Sequence, residues 1–459
     1  MKKKKIVYVV HCVDAEGPLY ESLQAKFDRI KDIFNLNIKP SVKNLKKLRE
    51  KKIYLNGKEE NVATLLSSHL TNYNDTWDKI EKMNKKIFSS NFRKKNKDSF
   101  GRNWLFNWHC LDHVGYKHNP RRRTLGYHKI FDYYKSTLLK FKNHQDTIHW
   151  HFHPMSTYKE AHRCATSYVN SPELYQILCR RIIERKWFPV VHRAGFQTER
   201  PDSNWFLEQW MPFDISNMST EDTSDIDSSI DFKMGRSGNW RKAPKNWSIY
   251  NPSHDDYQLK GRCRRWIGRA LNVMNRMASI NQREMDKAFK QANNGSPALV
   301  GIASHDFRNL EVEVNYLRNL VKNSSKKFKN VKFKYSDAKE AFVELIKDKN
   351  KIKKLPKSIK LDIKFFKKSK NDFPHITVKT KQGEIFGPQP FLAIQTKSNR
   401  FIHDNFDFSS KKGIWHYAFH PDTLPISDIS KIGIAANDKF GNTCIIRLKF
   451  KNSNKAIFF

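Results

Sequence analysis

The chain has 459 residues, 38% of them hydrophobic and 13% aromatic, with a formal net charge of +40. That composition excludes a disordered chain and leaves room for a large catalytic domain with an accessory module. Six cysteines (Cys12, Cys110, Cys164, Cys179, Cys263, Cys444) show no CxxC spacing, which excludes a cysteine zinc site and a small disulfide scaffold and suits a reducing compartment.

The chain opens on "KKIVYVVHCVDAEGP". Its apolar run, Ile6 to Val10, is too short for a signal peptide, and no stretch of about 18 apolar residues occurs elsewhere. No transmembrane segment and a cytoplasmic location are therefore expected. The run reads instead as a parallel strand buried on both faces that delivers Asp14 and Glu16 at its C-terminal end. Residues 20–100 are predicted mostly helical. Val62, Leu66, Leu70, Tyr73, Trp77 and Ile80 recur at three- and four-residue steps, and the segment 35–100 reads as an insertion that packs on the domain or forms a lid.

"NWLFNWHC" at 103–110 reads as a second strand, 127–142 as a helix, and "DTIHWHFHP" as a third strand carrying His149, His151 and His153. A helix at about 172–186 leads to "WFPVVHRAG" with Arg193, and "FLEQW" leads to "PFDISN" with Asp214. A helix near 278–292 then leads to "PALVGIASHD", which ends in His305 and Asp306. Strand–helix alternation with polar strand ends predicts a (β/α) barrel whose active groups gather at the strand C-termini. After about residue 350, short alternating runs with turns such as "DKFGN" predict an antiparallel, sandwich-like β domain over 355–459, leaving 1–350 as the catalytic part.

Imidazole and carboxylate ligands without thiolate suit zinc or a similar divalent ion, and three protein ligands with one open position make such a site catalytic. An extra carboxylate then serves as base and a histidine from another strand as acid. Among the histidines, residues two apart in a strand lie about 6.6 Å apart on one face and can share an ion. This allows His151/His153 or His149/His151. His149/His153 requires the chain to leave the strand between them. Both readings stay open on spacing alone.

Two further stretches carry paired readings. "NPRRR" at 119–123, with Arg121 and Arg122, is a surface cluster or a contact for a substrate phosphate, such as that of a nucleotide-linked or lipid-linked sugar. The aromatic loop 239–257, with Trp240, is a sugar platform or packing. The remaining positive charge is diffuse lysine and reads as solvated surface. With no nucleic-acid motif in view, no specific nucleic-acid partner is expected.

"VDAEGP", "HWHFHP", "HRAG" and "IASHD" occur in the order found in polysaccharide deacetylases (the NodB-homology group, carbohydrate esterase family 4), which the chain resembles over roughly residues 5–320. The resemblance implies a distorted barrel of about seven strands that binds a divalent ion and removes N-acetyl or O-acetyl groups from sugars. It departs from the usual adjacent Asp-Asp, which is Asp-x-Glu here. Carried over, Asp14 is the base and Glu16 a metal ligand, or the reverse. Arg193 pairs with Asp14, and His305 protonates the departing amine, oriented by Asp306 or Asp214. The HxHP form puts His151 and His153 forward as ligands, with His149 as alternate. Zinc is the first expectation for the ion, with cobalt, nickel, iron or manganese as substitutes. N-acetyl is preferred to O-acetyl, and the expected substrate is an acetylated sugar or glycan. The rival readings are an amidohydrolase on another C–N bond, such as a formamide, and a glycan-binding protein on an inactive scaffold. The sequence sets no oligomeric state.

Overall fold

The computed structural model describes residues 4–459 apart from 143–144, 156, 162, 164, 166, 222–237, 276, 368–371 and 453–454. Cys164 thus lies outside the described residues, and the other five cysteines are free thiols.

Seven parallel strands form the body: β1 (Ile6–Ala15), β2 (Asn107–Cys110), β3 (Thr147–Phe152), β4 (Val191–Ala194), β5 (Phe213–Asn217), β6 (Trp266–Asn272) and β7 (Ala298–His305). They follow one another in order, and β1 closes the ring by pairing with both β7 and β2. This is the expected closed barrel. The long β1 serves two neighbours on its second edge. Cys12–Ala15 pair with β2, whereas Ile6–Val9 pair with β8 (Lys332–Tyr335), an extra strand at the lower end. Neither β6 nor β8 is among the strands expected from the sequence.

The helices are α1 (Leu23–Phe34), α2 (Val42–Arg49), α3 (Glu59–Leu65), α4 (Ser68–Thr71), α5 (Trp77–Ile87), α6 (Ser90–Arg93), α7 (Lys129–Lys140), α8 (Glu173–Arg185), α9 (Pro201–Trp210), α10 (Gln282–Asn293), α11 (Leu310–Lys327) and α12 (Ala338–Lys349). The stripe over 62–80 is not one helix. Thr76 accepts from the Lys79 amide and starts α5 afresh, which divides the apolar positions among α3, the residue after it, α4, the loop after α4, and α5.

Strand parity decides what each face meets. Val7, Val9, Val13 and Trp108 pack against α7, α10 and α11, and Trp150 and Phe152 pack against α8 and α9. The opposite parity faces the barrel interior. There Tyr8, Val10, Val191, Phe213 and Leu299, all from the lower halves of their strands, enclose Ala338, Ala341 and Phe342 of α12. The lower end is therefore plugged by a helix, and the upper end stays available for polar groups.

Two antiparallel sheets follow. One is ordered β13-β14-β10-β9 and the other β12-β11-β15-β16-β17, built from β9 (Lys360–Phe366), β10 (His375–Gln382), β11 (Phe391–Thr396), β12 (Phe401–Asp404), β13 (Asp407–Phe408), β14 (Ile414–Ala418), β15 (Ile429–Asn437), β16 (Thr443–Asn452) and β17 (Lys455–Phe458). Ile363, Ile376, Val378 and Trp415 of one sheet share a core with Ile394, Ile432, Ile434 and Leu448 of the other. No helix among the described residues is long and apolar enough to cross a membrane.

Phe342 is fully buried and its ring stacks on Phe213 at 4.8 Å between centroids. Phe342→Ala should cost about 3–5 kcal/mol through lost burial and the cavity left in the plug. Chemical denaturation of the variant beside the parent checks this, and a loss below about 1 kcal/mol would show that the plug is not well packed.

Candidate metal centre

Asp14 is the last inward-facing residue of β1, and Glu16 lies just past the strand end. The turn that redirects Glu16 is held from β7. Asp306 accepts the Glu16 amide on Oδ1 (3.0 Å) and, on Oδ2, the Gly17 amide (2.9 Å) and the Tyr134 hydroxyl (2.9 Å). Gly17 has φ +71°, and a Cβ there would lie 3.1 Å from the Trp77 ring, so the turn requires glycine.

His151 sits inside the barrel on β3 and is fully buried. Its Nδ1–H donates to the Arg193 carbonyl at 2.8 Å, because a carbonyl can only accept. In the neutral ring this leaves Nε2 bare and aimed at the strand ends. His153 Nε2 lies 2.9 Å from His151 Nε2, and Glu16 Oε1 lies 3.6 Å from His151 Nε2 and 3.5 Å from His153 Nε2. A tetrahedral ion with bonds of about 2.0–2.1 Å separates its ligand atoms by about 3.3 Å. Glu16, His151 and His153 therefore fit a divalent ion in both donor type and spacing.

Burial alone would raise the Glu16 carboxyl, but Arg123 and the two imidazoles outweigh it and hold the group well below the ordinary carboxylate range. Burial likewise works against charge on His151, and Asp14 with Glu16 reverses the direction and raises it. At His153 burial prevails and the ring is lowered.

His149 belongs to a deeper layer. Its Nε2 lies 2.9 Å from Thr147 Oγ1, 3.0 Å from Asp337 Oδ1 and 3.2 Å from Asn107 Oδ1. Asp337 also caps α12, accepting the Glu340 amide. The geometry thus groups His151 with His153 and gives His149 to the plug helix.

Asp14 stands outside the ligand set. Its Oδ1 accepts Arg193 Nε–H at 2.7 Å, and Arg193 is steadied by donating from Nη1 to the Ile215 carbonyl at 3.1 Å. Its Oδ2 lies 3.8 Å from His305 Nε2, which is also 3.8 Å from Glu16 Oε1. Burial, followed by the charge of Arg308, pushes His305 down to about 3.

Several expected residues are elsewhere. Asp306 does not orient His305: it anchors the 16–17 turn, and burial pushes its carboxyl up to about 6 against the opposing amide hydrogen bonds. Asp214 has the outward parity of β5. It lies in a buried cluster with Glu199 and Arg265 (Oδ2 to Nη1, 3.6 Å), and burial and Glu199 push it well above the carboxylate range. Trp240 is 3% exposed and donates to the Gln197 carbonyl, so its ring offers no platform. Of the three arginines at 121–123, Arg122 takes a left-handed turn (φ 52°) and stacks on Tyr20 at 4.0 Å, and Arg121 faces Glu21 at 3.5 Å. Arg123, the third arginine of that cluster, donates from Nη2 to Glu16 Oε2 at 2.5 Å. The other Glu16 oxygen is thereby left for the ion.

The site opens into a cavity of about 840 Å³. Tyr20 and Asp28, which precede the helical insertion, and Leu65, Leu70 and Tyr73 within it line one part of the cavity, and Phe196, Met218 and Asn272 line others. The insertion therefore borders the site. No protein-family model matches the chain, and neither a curated protein nor a solved structure matches it.

The purified protein should bind one divalent ion per chain. His151→Ala or His153→Ala should weaken it by orders of magnitude, whereas His149→Ala should keep the stoichiometry and change affinity by no more than about 10–100-fold. Competition titration with a chromophoric chelator measures all three. Loss of the ion in His149→Ala with retention in His151→Ala would reverse the assignment.

Proposed function

We propose that the protein is a metal-dependent hydrolase that removes an acetyl group, from nitrogen rather than oxygen, from a sugar or glycan. The observation that carries this reading is a division of labour between two carboxylates one residue apart. Glu16 converges with two imidazoles, and Asp14 is held by Arg193 outside that set and faces His305. The order of the four motifs along the chain favours the deacetylase class over other amidohydrolases.

A divalent ion at Glu16, His151 and His153, with zinc the best match to the donors, would supply Lewis acidity to water and to the acyl carbonyl. Asp14 Oδ2 takes the proton of the attacking water, while the Arg193 bond fixes Oδ1 and limits the carboxylate to one orientation. His305 is neutral in its buried setting, so one ring nitrogen is bare and can take up a proton. It relays the proton from Asp14 to the amide nitrogen, and the C–N bond then breaks to release free amine and acetate.

Acetate release should be followed from a panel of N-acetylated nucleotide sugars and oligosaccharides, with and without chelator. Asp14→Asn should lower kcat by about 10²–10⁴-fold while the ion stays bound, whereas Glu16→Gln should lose the ion as well. If no member of the panel releases acetate in the zinc-, cobalt- or nickel-loaded protein, the deacetylase reading fails. Loss of the ion in Asp14→Asn with its retention in Glu16→Gln would instead exchange the two roles.

A further inference from the structure

Each carboxylate of the centre already has its own guanidinium: Asp14 has Arg193, and Glu16 has Arg123. The four side chains together are neutral, so a divalent ion would add its full charge to a buried site. Arg123 spends only Nη2 on Glu16. Its Nε and Nη1 are buried without a hydrogen-bond partner among the described residues, and the residue is only 9% exposed. Arg308 lies beside it, and the two guanidinium groups are 5.1 and 5.9 Å from the centroid of the Phe307 ring. Arg308 Nε is also buried and unpartnered, and its guanidinium pairs with no carboxylate among the described residues. Both arginines line the cavity.

The other arginines of the cavity differ. Arg29 and Arg121 face Glu21 at 3.3 and 3.5 Å, and Arg163 pairs with Glu160 at 2.9 Å. The remaining acids of that wall, Asp28 and Asp32, are exposed on α1. A guanidinium without a carboxylate partner among the described residues, that of Arg308, thus stands beside the half-used donors of Arg123, next to the ligand set. A buried N–H left without a partner is costly, so three such donors call for an acceptor that the described residues do not provide.

We propose that Arg123 and Arg308 form an oxyanion subsite for a phosphate or diphosphate ester on the same molecule that presents its acyl group to the centre. The substrate class is then a phosphorylated or nucleoside-diphosphate-linked acylated sugar. Three donors from two guanidinium groups suit the several oxygens of a tetrahedral oxyanion better than a planar carboxylate with two. A cavity of about 840 Å³ has room for a sugar with such a group attached. The word substrate rests on the hydrolase reading above, whereas the subsite itself does not.

The test is isothermal titration calorimetry on the full-length chain, zinc-free and zinc-loaded, with inorganic phosphate, pyrophosphate and glucuronate as probes. The zinc-free arm removes direct coordination to the ion, and glucuronate represents a carboxylate source. Phosphate or pyrophosphate should bind one site in the zinc-free chain. Arg308→Gln should weaken it by about tenfold or more, Arg308→Lys should weaken it less, and glucuronate should bind about tenfold more weakly than pyrophosphate. Arg308→Gln removes no ion pair, so its melting temperature should match the parent, and an Arg308→Gln protein that does not fold leaves Arg308→Lys to be judged alone. Equal phosphate affinity in the parent and the substituted chain, tighter binding of glucuronate, or no oxyanion binding at millimolar concentration would each overturn the proposal. Oxyanion binding without acetate release would remove only the hydrolase reading, and acetate release without oxyanion binding only the subsite.

Discussion

The arrangement depends on one buried carboxylate that does no chemistry. Asp306 bridges the ends of β7 and β1 by accepting the amides of Glu16 and Gly17. Without it, the chain leaving β1 would have no reason to turn within two residues. Glu16 would then follow the strand direction rather than bend its Oε1 towards the β3 imidazoles. The turn also places Glu16 Oε2 on Arg123, so the two oxygens serve different partners. Burial makes this anchor costly, pushing Asp306 up to about 6, and two amides with the Tyr134 hydroxyl offset that cost.

Much of this was legible in the sequence because strand ends are marked chemically. A run such as "VYVVHCVDAEGP" can end in Asp and Glu only where polar groups are tolerated, at the mouth of a barrel. The alternating histidines declared a shared face. Depth rather than parity separated them: His149 and His151 both point inward, but His149 lies at the level where Asp337 caps the plug helix. The sequence carries no sign of that helix's depth, because α12 lies among the diffuse lysines that read as solvated surface.

Other positions were not legible, for specific reasons. In "PFDISN" the strand is buried on both faces, so its pattern does not reveal which parity is inside. Phe213 and Ile215 face the barrel interior, which sends Asp214 outward to Arg265. Three consecutive arginines differ only through backbone geometry, and the left-handed Arg122 lets Arg123 reach inward while Arg122 itself stacks on Tyr20. Trp240 resembled a loop aromatic, but its indole N–H found a buried carbonyl. β6 escaped because Arg265 and Arg269 gave it a polar look. Both guanidinium groups are buried on the outward face, paired with Glu199 and Glu284.

The C-terminal sheets connect to the site through α8. This helix packs Ile177, Leu178 and Ile182 in one apolar cluster with Trp150 and Phe152 of β3 and with Phe391, Ala393, Phe401 and Ala435 of the second sheet. Gly433 of β15 comes so close that a Cβ there would lie 2.4 Å from Ile182. Asn437 at the end of β15 donates to the carbonyls of Pro189 and Trp210, the residues that precede β4 and β5. β4 delivers Arg193 to Asp14 and its carbonyl to His151, so an error in its position would disturb the base and a ligand together. A buried hydrogen bond from outside the barrel at the entry to that strand restricts its register where parallel pairing alone is short, with only His192 to Ala194 paired to β3 and Val191 and His192 to β5. On this reading the β-sheets after residue 350 act on the chemistry by holding two short strands of the barrel, β4 and β5, in place, without touching a ligand.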